Sequence, residues 1–288
     1  MSEQNPQDKQ DKQYVTEWSF SFDKIGESIN KLLSSVGVSE TEVKTAQFSE
    51  PADKALAATV NLGAVVGQIA VSALTASDNL FEAEVSYVGE MEFNVSGDTE
   101  KVIRLNQKMR DVPVTDQFKK VLNQFANRDD LYWKVGISPD VPVKFNIEGS
   151  VGVAKFDLSG LRVADVELEG GVGETFLNLP ASSSRYAVKV SGGVGASHIT
   201  IADGAALNLK VDGGVGGVEV HVPATAAIRV EADGGLGGVS VPAGFKRVRG
   251  GDNFIGTSGV WETEGFNIAD KQIYIHFNGG VGGLKVIV

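Results

Sequence analysis

One column of the sequence could bind or react: Glu148, Glu169, Ser191, Asp212, Asp233 and Asn278, each three residues before a Val or Leu that a glycine follows. If copies of this unit stack as parallel strands about 4.8 Å apart, neighbouring carboxylates such as Asp212 and Asp233 would repel unless a cation or water screened them. Stacked in that way, the column would form a divalent-cation site. Asp and Asn also favour turn positions just ahead of glycine, because their short side chains bond to nearby backbone. Both explanations account for the same residues.

Other chemistries fit less well. The calcium-binding nonapeptide Gly-Gly-x-Gly-x-Asp shares the glycines, but its aspartate would fall where Val218, Val239 and Leu284 stand, so calcium binding of that kind is not expected. No Gly-Lys-Ser/Thr follows any glycine run, and Gly235-Leu236-Gly237-Gly238 opens a strand where dinucleotide binding needs a helix N-terminus. His198, His221 and His276 fall on different columns of the repeat and do not make a zinc-ligand set. Polysaccharide-active β-helices need facing acids and aromatic platforms, whereas one outward column here reads Lys155, Phe176, His198, Glu219, Ser240 and Lys285. A carbohydrate surface stays open only near Arg247 to Phe266, which carries Phe254, Trp261 and Phe266. No catalytic, cofactor-binding or metal-binding residue is assigned, no cofactor is implied, and no enzymatic activity is expected.

What would position these columns is a repeat. The apolar residue after the glycine pair is Val151, Val172, Val194, Val215, Leu236 and Val281, with Gly152, Gly173, Gly195, Gly216, Gly237 and Gly282 directly after. The first five are spaced by 21 or 22 residues, and the last gap is 45, two such periods. A period of this size is the mark of a stacked repeat architecture.

Four residues earlier stand Ile147, Leu168, Val190, Val211, Ala232 and Phe277, and two earlier again Phe145, Val166, Val188, Leu209, Val230 and Ile275, with polar residues between. That period-two alternation predicts a half-buried strand. It resumes beyond the glycine, at Ala154 and Phe156 or Val218 and Val220, until Pro180 or Pro223 stops it. The unit is strand, glycine corner, strand.

An antiparallel β-meander or sandwich would leave each Val at an exposed turn tip. An all-β solenoid, the preferred reading, would point the corner Val and Leu inward, with glycines letting the backbone turn and the corners stack.

The chain has 288 residues, 42% of them apolar, and a net charge of −11. That charge argues against a nucleic acid or an anionic membrane surface as partner, since both need a concentrated basic face. With no cysteine there is no disulfide or thiolate chemistry. The start lacks a signal-peptide pattern and no run is long and apolar enough to span a membrane, which makes a cytoplasmic protein the expectation.

Along the chain, residues 1–16 read as a disordered tail. Residues 17–37 read as a capping helix segment with Ile25, Ile29, Leu32 and Leu33 on one face. Residues 45–112 form an N-terminal module containing one early copy of the repeat: Val60, Leu62, Val66, Gly67, Ile69 and Val71. Strands follow around Phe81 to Tyr87, Met91 to Val95 and Val102 to Leu105. Residues 113–130 are a helical or loop insertion, and residues 131–288 are the regular solenoid, interrupted by a hairpin-like excursion between Arg247 and Phe266.

The rungs from Glu169-Gly170-Gly171-Val172-Gly173 to Asn278-Gly279-Gly280-Val281-Gly282-Gly283, with Asp157-Leu158-Ser159-Gly160-Leu161 before them, resemble the bacterial toast-rack domain. That domain is also known as a candidate adhesin, and it forms the C-terminal part of cell-wall-active antibiotic response proteins. Ser77-Asp78-Asn79-Leu80-Phe81-Glu82-Ala83 and Tyr87-Val88-Gly89-Glu90 resemble the module that precedes it. The resemblance covers most of residues 45–288.

It implies a stacked all-β domain without known catalysis, used for protein interaction in envelope-stress signalling or of unknown function, and it supplies no catalytic residues. The chain departs from the family by lacking the transmembrane segments many members carry. The resulting expectation is a non-enzymatic interaction or assembly module. It would bind a protein partner or self-associate through a sheet edge left by the last rung, whose end at Val288 is apolar.

Overall fold

Alternation of apolar and polar residues becomes alternation of faces. In β12 (Leu207–Asp212), Leu207, Leu209 and Val211 are buried while Asn208 and Lys210 face solvent. The same period-two pattern runs through β14 (Ala227–Asp233) and β18 (Gln272–Asn278). The computed structural model describes residues 43–63, 66–108, 130–233, 236–253 and 256–288, all within one unit, Ser39–Val288. The disordered tail and capping helix expected over residues 1–37, and nearly all of the insertion expected over 113–130, lie outside the described residues.

Each rung has two strands joined at the glycine corner. In β8 (Val143–Asp157) and β9 (Val163–Leu179) a single strand runs through the corner. In later rungs the corner divides them: β10 (Tyr186–Ser191) from β11 (Ser197–Ile201), and β12 from β13 (Val218–His221). The corner likewise separates β14 from β15 (Val239–Ser240) and β18 from β19 (Leu284–Ile287).

Successive rungs pair in parallel and in register, as in Val188↔Leu209 and Ile199↔Val220. The architecture is therefore a parallel β-solenoid and not an antiparallel meander. Opposite the glycine corner each rung turns tightly, with Leu161 N–H donating to the Leu158 carbonyl and Ala226 N–H to the Pro223 carbonyl. Leu158, Leu161, Ala205 and Val222 point inward there.

The rungs do not stack in chain order. The early copy, β2 (Ala57–Gly63) and β3 (Val66–Ala73), lies between β8 on one side and β6 (Glu100–Lys108) with β7 (Tyr132–Ile137) on the other. The last copy does the same at the far end: β18 pairs with β12 and β14, and β19 with β13 and β15. The last rung is thus internal and leaves no sheet edge, contrary to the expectation; Leu284 and Val286 are core residues.

The ends of the stack are closed by antiparallel strands. At one end β4 (Asn79–Tyr87) pairs with β7 and β1 (Lys44–Pro51) with β4, while β5 (Glu90–Ser96) covers β6. Phe48, Phe81 and Phe93 seal the core there, with ring centroids 5.0 and 5.8 Å apart. At the other end the hairpin of β16 (Lys246–Asn253) and β17 (Gly256–Glu262) covers β14.

The outer strands resist further pairing. Lys246, Arg247 and Arg249 stand on β16, and β15 pairs over two residues before Pro242, both known ways of blunting an edge. Between the sheets lies one continuous apolar core, including Phe145, Phe156, Leu177, Ile199, Leu209, Ile275 and Phe277. Each such side chain contributes about 1.5–3 kcal/mol on burial.

Candidate functional site at the glycine corner

The corner is built from backbone. Gly173, Gly195, Gly216 and Gly282 have φ of 136°, 138°, 142° and 144°, a region that L side chains rarely adopt. A Cβ on Gly195 would lie 1.8 Å from the Gly173 carbonyl oxygen, and one on Gly216 1.8 Å from that of Gly195. The column is Gly67, Gly152, Gly173, Gly195, Gly216, Gly282, Gly237, in the order in which the rungs stack. Hydrogen bonding continues around the bend: Gly195 N–H donates to the Val215 carbonyl (2.8 Å), and Val215 N–H to the Gly193 carbonyl (3.0 Å).

The corner Val and Leu residues do stack. Parallel bridges link Val172 to Val194, Val194 to Val215, Val215 to Val281 and Val281 to Leu236. Their side chains point outward, not into a shared interior as the sequence suggested: the four valines are each 52% exposed and Leu236 62%. The reason lies in the glycines. Positive φ at residues such as Gly170 and Gly173 (60° and 136°) breaks the strand alternation, and the inside of the bend is filled by neighbouring backbone. Small gaps of about 50 and 30 Å³ remain beneath it, lined by residues such as Thr175, Ser197 and Val218.

On one flank of this ridge runs the acidic column. Insertion of the last rung changes its order to Glu148, Glu169, Ser191, Asp212, Asn278, Asp233. Asp212 and Asp233, expected as neighbours, are therefore separated by Asn278, whose Nδ2 donates to Asp212 Oδ1 at 2.7 Å. Lys210 Nζ lies 2.8 Å from Asp212. Lys210 first, then Asn278, hold the Asp212 carboxyl below its ordinary range.

Lys189 sits between Glu167 (2.5 Å) and Glu169 (3.3 Å) and lowers the Glu167 pKa in the same way. Among the described residues no group of three or more His, Cys, Asp or Glu side chains is placed to hold a metal ion. Lysines and an amide do the screening that the cation reading assigned to an ion.

The outer face of the second sheet carries a mixed ladder. His198 stacks on Phe176 with centroids 5.0 Å apart, and its ring nitrogens lie 3.2 Å from Glu174 and 3.4 Å from Glu219. Lys285 is 3.1 Å from Glu219 and holds that carboxyl low. His221 and His276 stand on different strands, in different sheets. In the excursion, Trp261 and Phe266 are buried rather than offered as platforms, with Arg247 stacked over Trp261 at 5.0 Å; Phe254 lies outside the described residues.

Parallel two-strand rungs, bare glycine corners and antiparallel end caps define a two-sheet β-solenoid. The family model described as the N-terminal domain of toast_rack, DUF2154, matches residues 38–201, β1 through β11. That is more than half of the chain, and the chain belongs to this family. No curated protein matches it.

Among solved structures, a candidate cell adhesion protein from Clostridium sporogenes is similar with a TM-score of 0.57 and 18% identity, over 85% of this chain and 99% of that one. At that identity the likeness shows the fold alone. A candidate adhesin from Bacteroides fragilis matches over 85% of this chain and 97% of that one, with 12% identity and a TM-score of 0.29.

Proposed function

We propose that the protein is a non-enzymatic interaction module whose working surface is the corner ridge. The observation that carries this is the ladder Val172, Val194, Val215, Val281, Leu236: aligned apolar side chains, each more than half exposed, on a bend whose backbone is hydrogen bonded on both sides. Contiguous exposed apolar side chains rimmed by polar residues are a recurrent mark of interaction sites. The side chains are held by a rigid frame, so ordering them on binding costs little.

Membership of the toast-rack family, and the candidate adhesion role of a protein sharing the fold, support the same reading. A role in envelope-stress signalling follows from the resemblance to cell-wall-active antibiotic response proteins. Among the described residues no helix is long and apolar enough to cross a membrane. The cytoplasm is kept as the proposed compartment, to be tested by fractionation.

The direct test is photocrosslinking in the native cell. A photoreactive residue at Val215 should give protein adducts, and the same residue at exposed Lys144, on the outer face of the first sheet, should not. Equal labelling at both positions, or none at Val215, would remove the ridge as the working surface.

A further inference from the structure

The ridge has a neighbour that the fold does not explain. Just past the corners of Val215, Val281 and Leu236, on the side of the second sheet and away from the acidic column, stand Gly217, Gly283 and Gly238 in adjacent rungs. Gly217 and Gly238 are exposed. A Cβ on either would meet nothing within 4 Å, and neither adopts the positive φ that excludes side chains. Unlike Gly195 or Gly216, Gly217 and Gly238 are needed neither for the bend nor for the stacking; Gly283 between them is held to glycine by the stack, since a Cβ there would lie 2.7 Å from the Gly238 carbonyl oxygen. Their effect is external: a flat shelf of bare backbone beside a ridge of apolar side chains.

We propose that ridge and shelf together form an isologous contact between two copies of this chain, the ridge of each lying on the shelf of the other. This rests on the reading of the ridge as the working surface and names its occupant. Three features point to a second copy. One surface carries both the projecting and the receiving part, as a two-fold contact requires. Both parts repeat with the rung spacing, about 4.8 Å, so Val215, Val281 and Leu236 meet a shelf of Gly217, Gly283 and Gly238 at the same height, while Ala196 and Glu174 hold that position beside Val194 and Val172. The acids Asp212 and Asp233 lie on the opposite flank of the ridge, so the shared strip is uncharged over the rungs of Val215, Val281 and Leu236, and Glu174 borders it beside Val172.

The area sets the strength. Ridge and shelf coincide over three rungs in each copy, a contact smaller than the roughly 1,200–2,000 Å² of a standard stable interface. The dimer is therefore reversible and concentration dependent.

Because the chain has no cysteine, single-cysteine variants report the contact directly. Mild oxidation should link Val215→Cys chains into a species of twice the chain mass. Thr200→Cys, exposed on the outer face of the second sheet, should stay unlinked. In sedimentation equilibrium the unmodified protein should show a monomer–dimer equilibrium. Val215→Asp should weaken it about tenfold or more, and so should Gly217→Leu, which fills the shelf at a position where the fold leaves room.

A strict monomer at high concentration, or Gly217→Leu leaving association unchanged, overturns the proposal. If the protein is monomeric while Val215 still photocrosslinks to a different protein, the second-copy inference falls and the ridge reading stands. If both readouts are blank, both fall.

Discussion

Asn278 donates its side-chain amide to Asp212 across adjacent strands at 2.7 Å, and in doing so it holds Asp212 and Asp233 two rungs apart. The contact exists because the last rung is threaded between two earlier ones. An amide there satisfies one carboxylate and adds no charge beside the other.

Replacing Asn278 by Asp should put three carboxylates on consecutive rungs. Loss of the hydrogen bond and added repulsion should cost about 1–3 kcal/mol, read as a lower urea midpoint. Millimolar calcium should recover part of the loss in Asn278→Asp and have no effect on the unmodified protein. A variant as stable as its parent would show that the column tolerates a third acid unaided.

Acid should weaken the stack through its paired carboxylates. Asp212, Glu167 and Glu219 all have folded-state pKa values below their ordinary ones, owing chiefly to Lys210, Lys189 and Lys285 respectively. Their contribution is complete above the ordinary carboxylate range of about 4 and is lost as pH falls through the lowered folded values. Urea midpoints should hold between pH 7 and 5 and drop below pH 4. In Asp212→Asn the drop should be shallower.

The two kinds of glycine should separate cleanly. Gly195→Ala places a Cβ 1.8 Å from the Gly173 carbonyl oxygen at a φ of 138°. It should cost about 3 kcal/mol or more from strain and overpacking together. Gly217→Ala, with open space at the Cβ position, should change stability by less than about 0.5 kcal/mol. Thermal melts of the two variants side by side check this, and equal losses would contradict the backbone-filled corner.

Lys101 is 5% exposed, with its ammonium 2.6 Å from Glu50, 2.7 Å from the Pro51 carbonyl and 3.5 Å from Asp53. It ties the end of edge strand β1 to β6. The Glu50 hydrogen bond raises the Lys101 pKa, so its contribution is full below the ordinary lysine value of about 10.4 and is lost as pH rises through the higher folded value. Lys101→Met should destabilise by about 1–3 kcal/mol, since charged hydrogen bonds are lost and Glu50 is left without its cation. Amide hydrogen exchange should rise first in β1; an unchanged pattern would show that β1 is held by its β4 pairing alone.

Deleting residues 284–288 should do more than trim an edge. It removes β19 from between β13 and β15 and takes Leu284 and Val286 from the core. The truncated chain should lose its cooperative melt, whereas a chain merely shorn of an edge would melt near the parent temperature.

Much of the rung was legible in the sequence because period-two alternation marks a half-buried strand and a 21- or 22-residue repeat marks copies of one unit. The early rung at Val60 to Val71 could be read for the same reason. Stacking order could not be read. Identical rungs can pair with any neighbour, and nothing local in Gln272–Asn278 says that it pairs with both β12 and β14.

The direction of the corner valines is not legible in the sequence, because an apolar residue at every copy looks like core. Only the conformation of the adjacent glycines, which depends on close backbone approach between rungs, turns those side chains outward. Burial of Trp261 and Phe266 was not legible either: Trp261 stands on the hairpin that covers β14, and Phe266 packs edge-on against Tyr274 of β18, both of which follow from topology and not from local pattern.

The threading of β18 and β19 between strands made earlier has a consequence during synthesis. The native partners of β12 and β13 on that side do not exist until residues 272–287 have been synthesised, so β14 to β17 cannot take their final seat before then. Growth of the stack cannot proceed as a simple zipper from N- to C-terminus. The structure is completed by a late wedging step, and an interrupted chain is left with a gap instead of a shorter but finished pile.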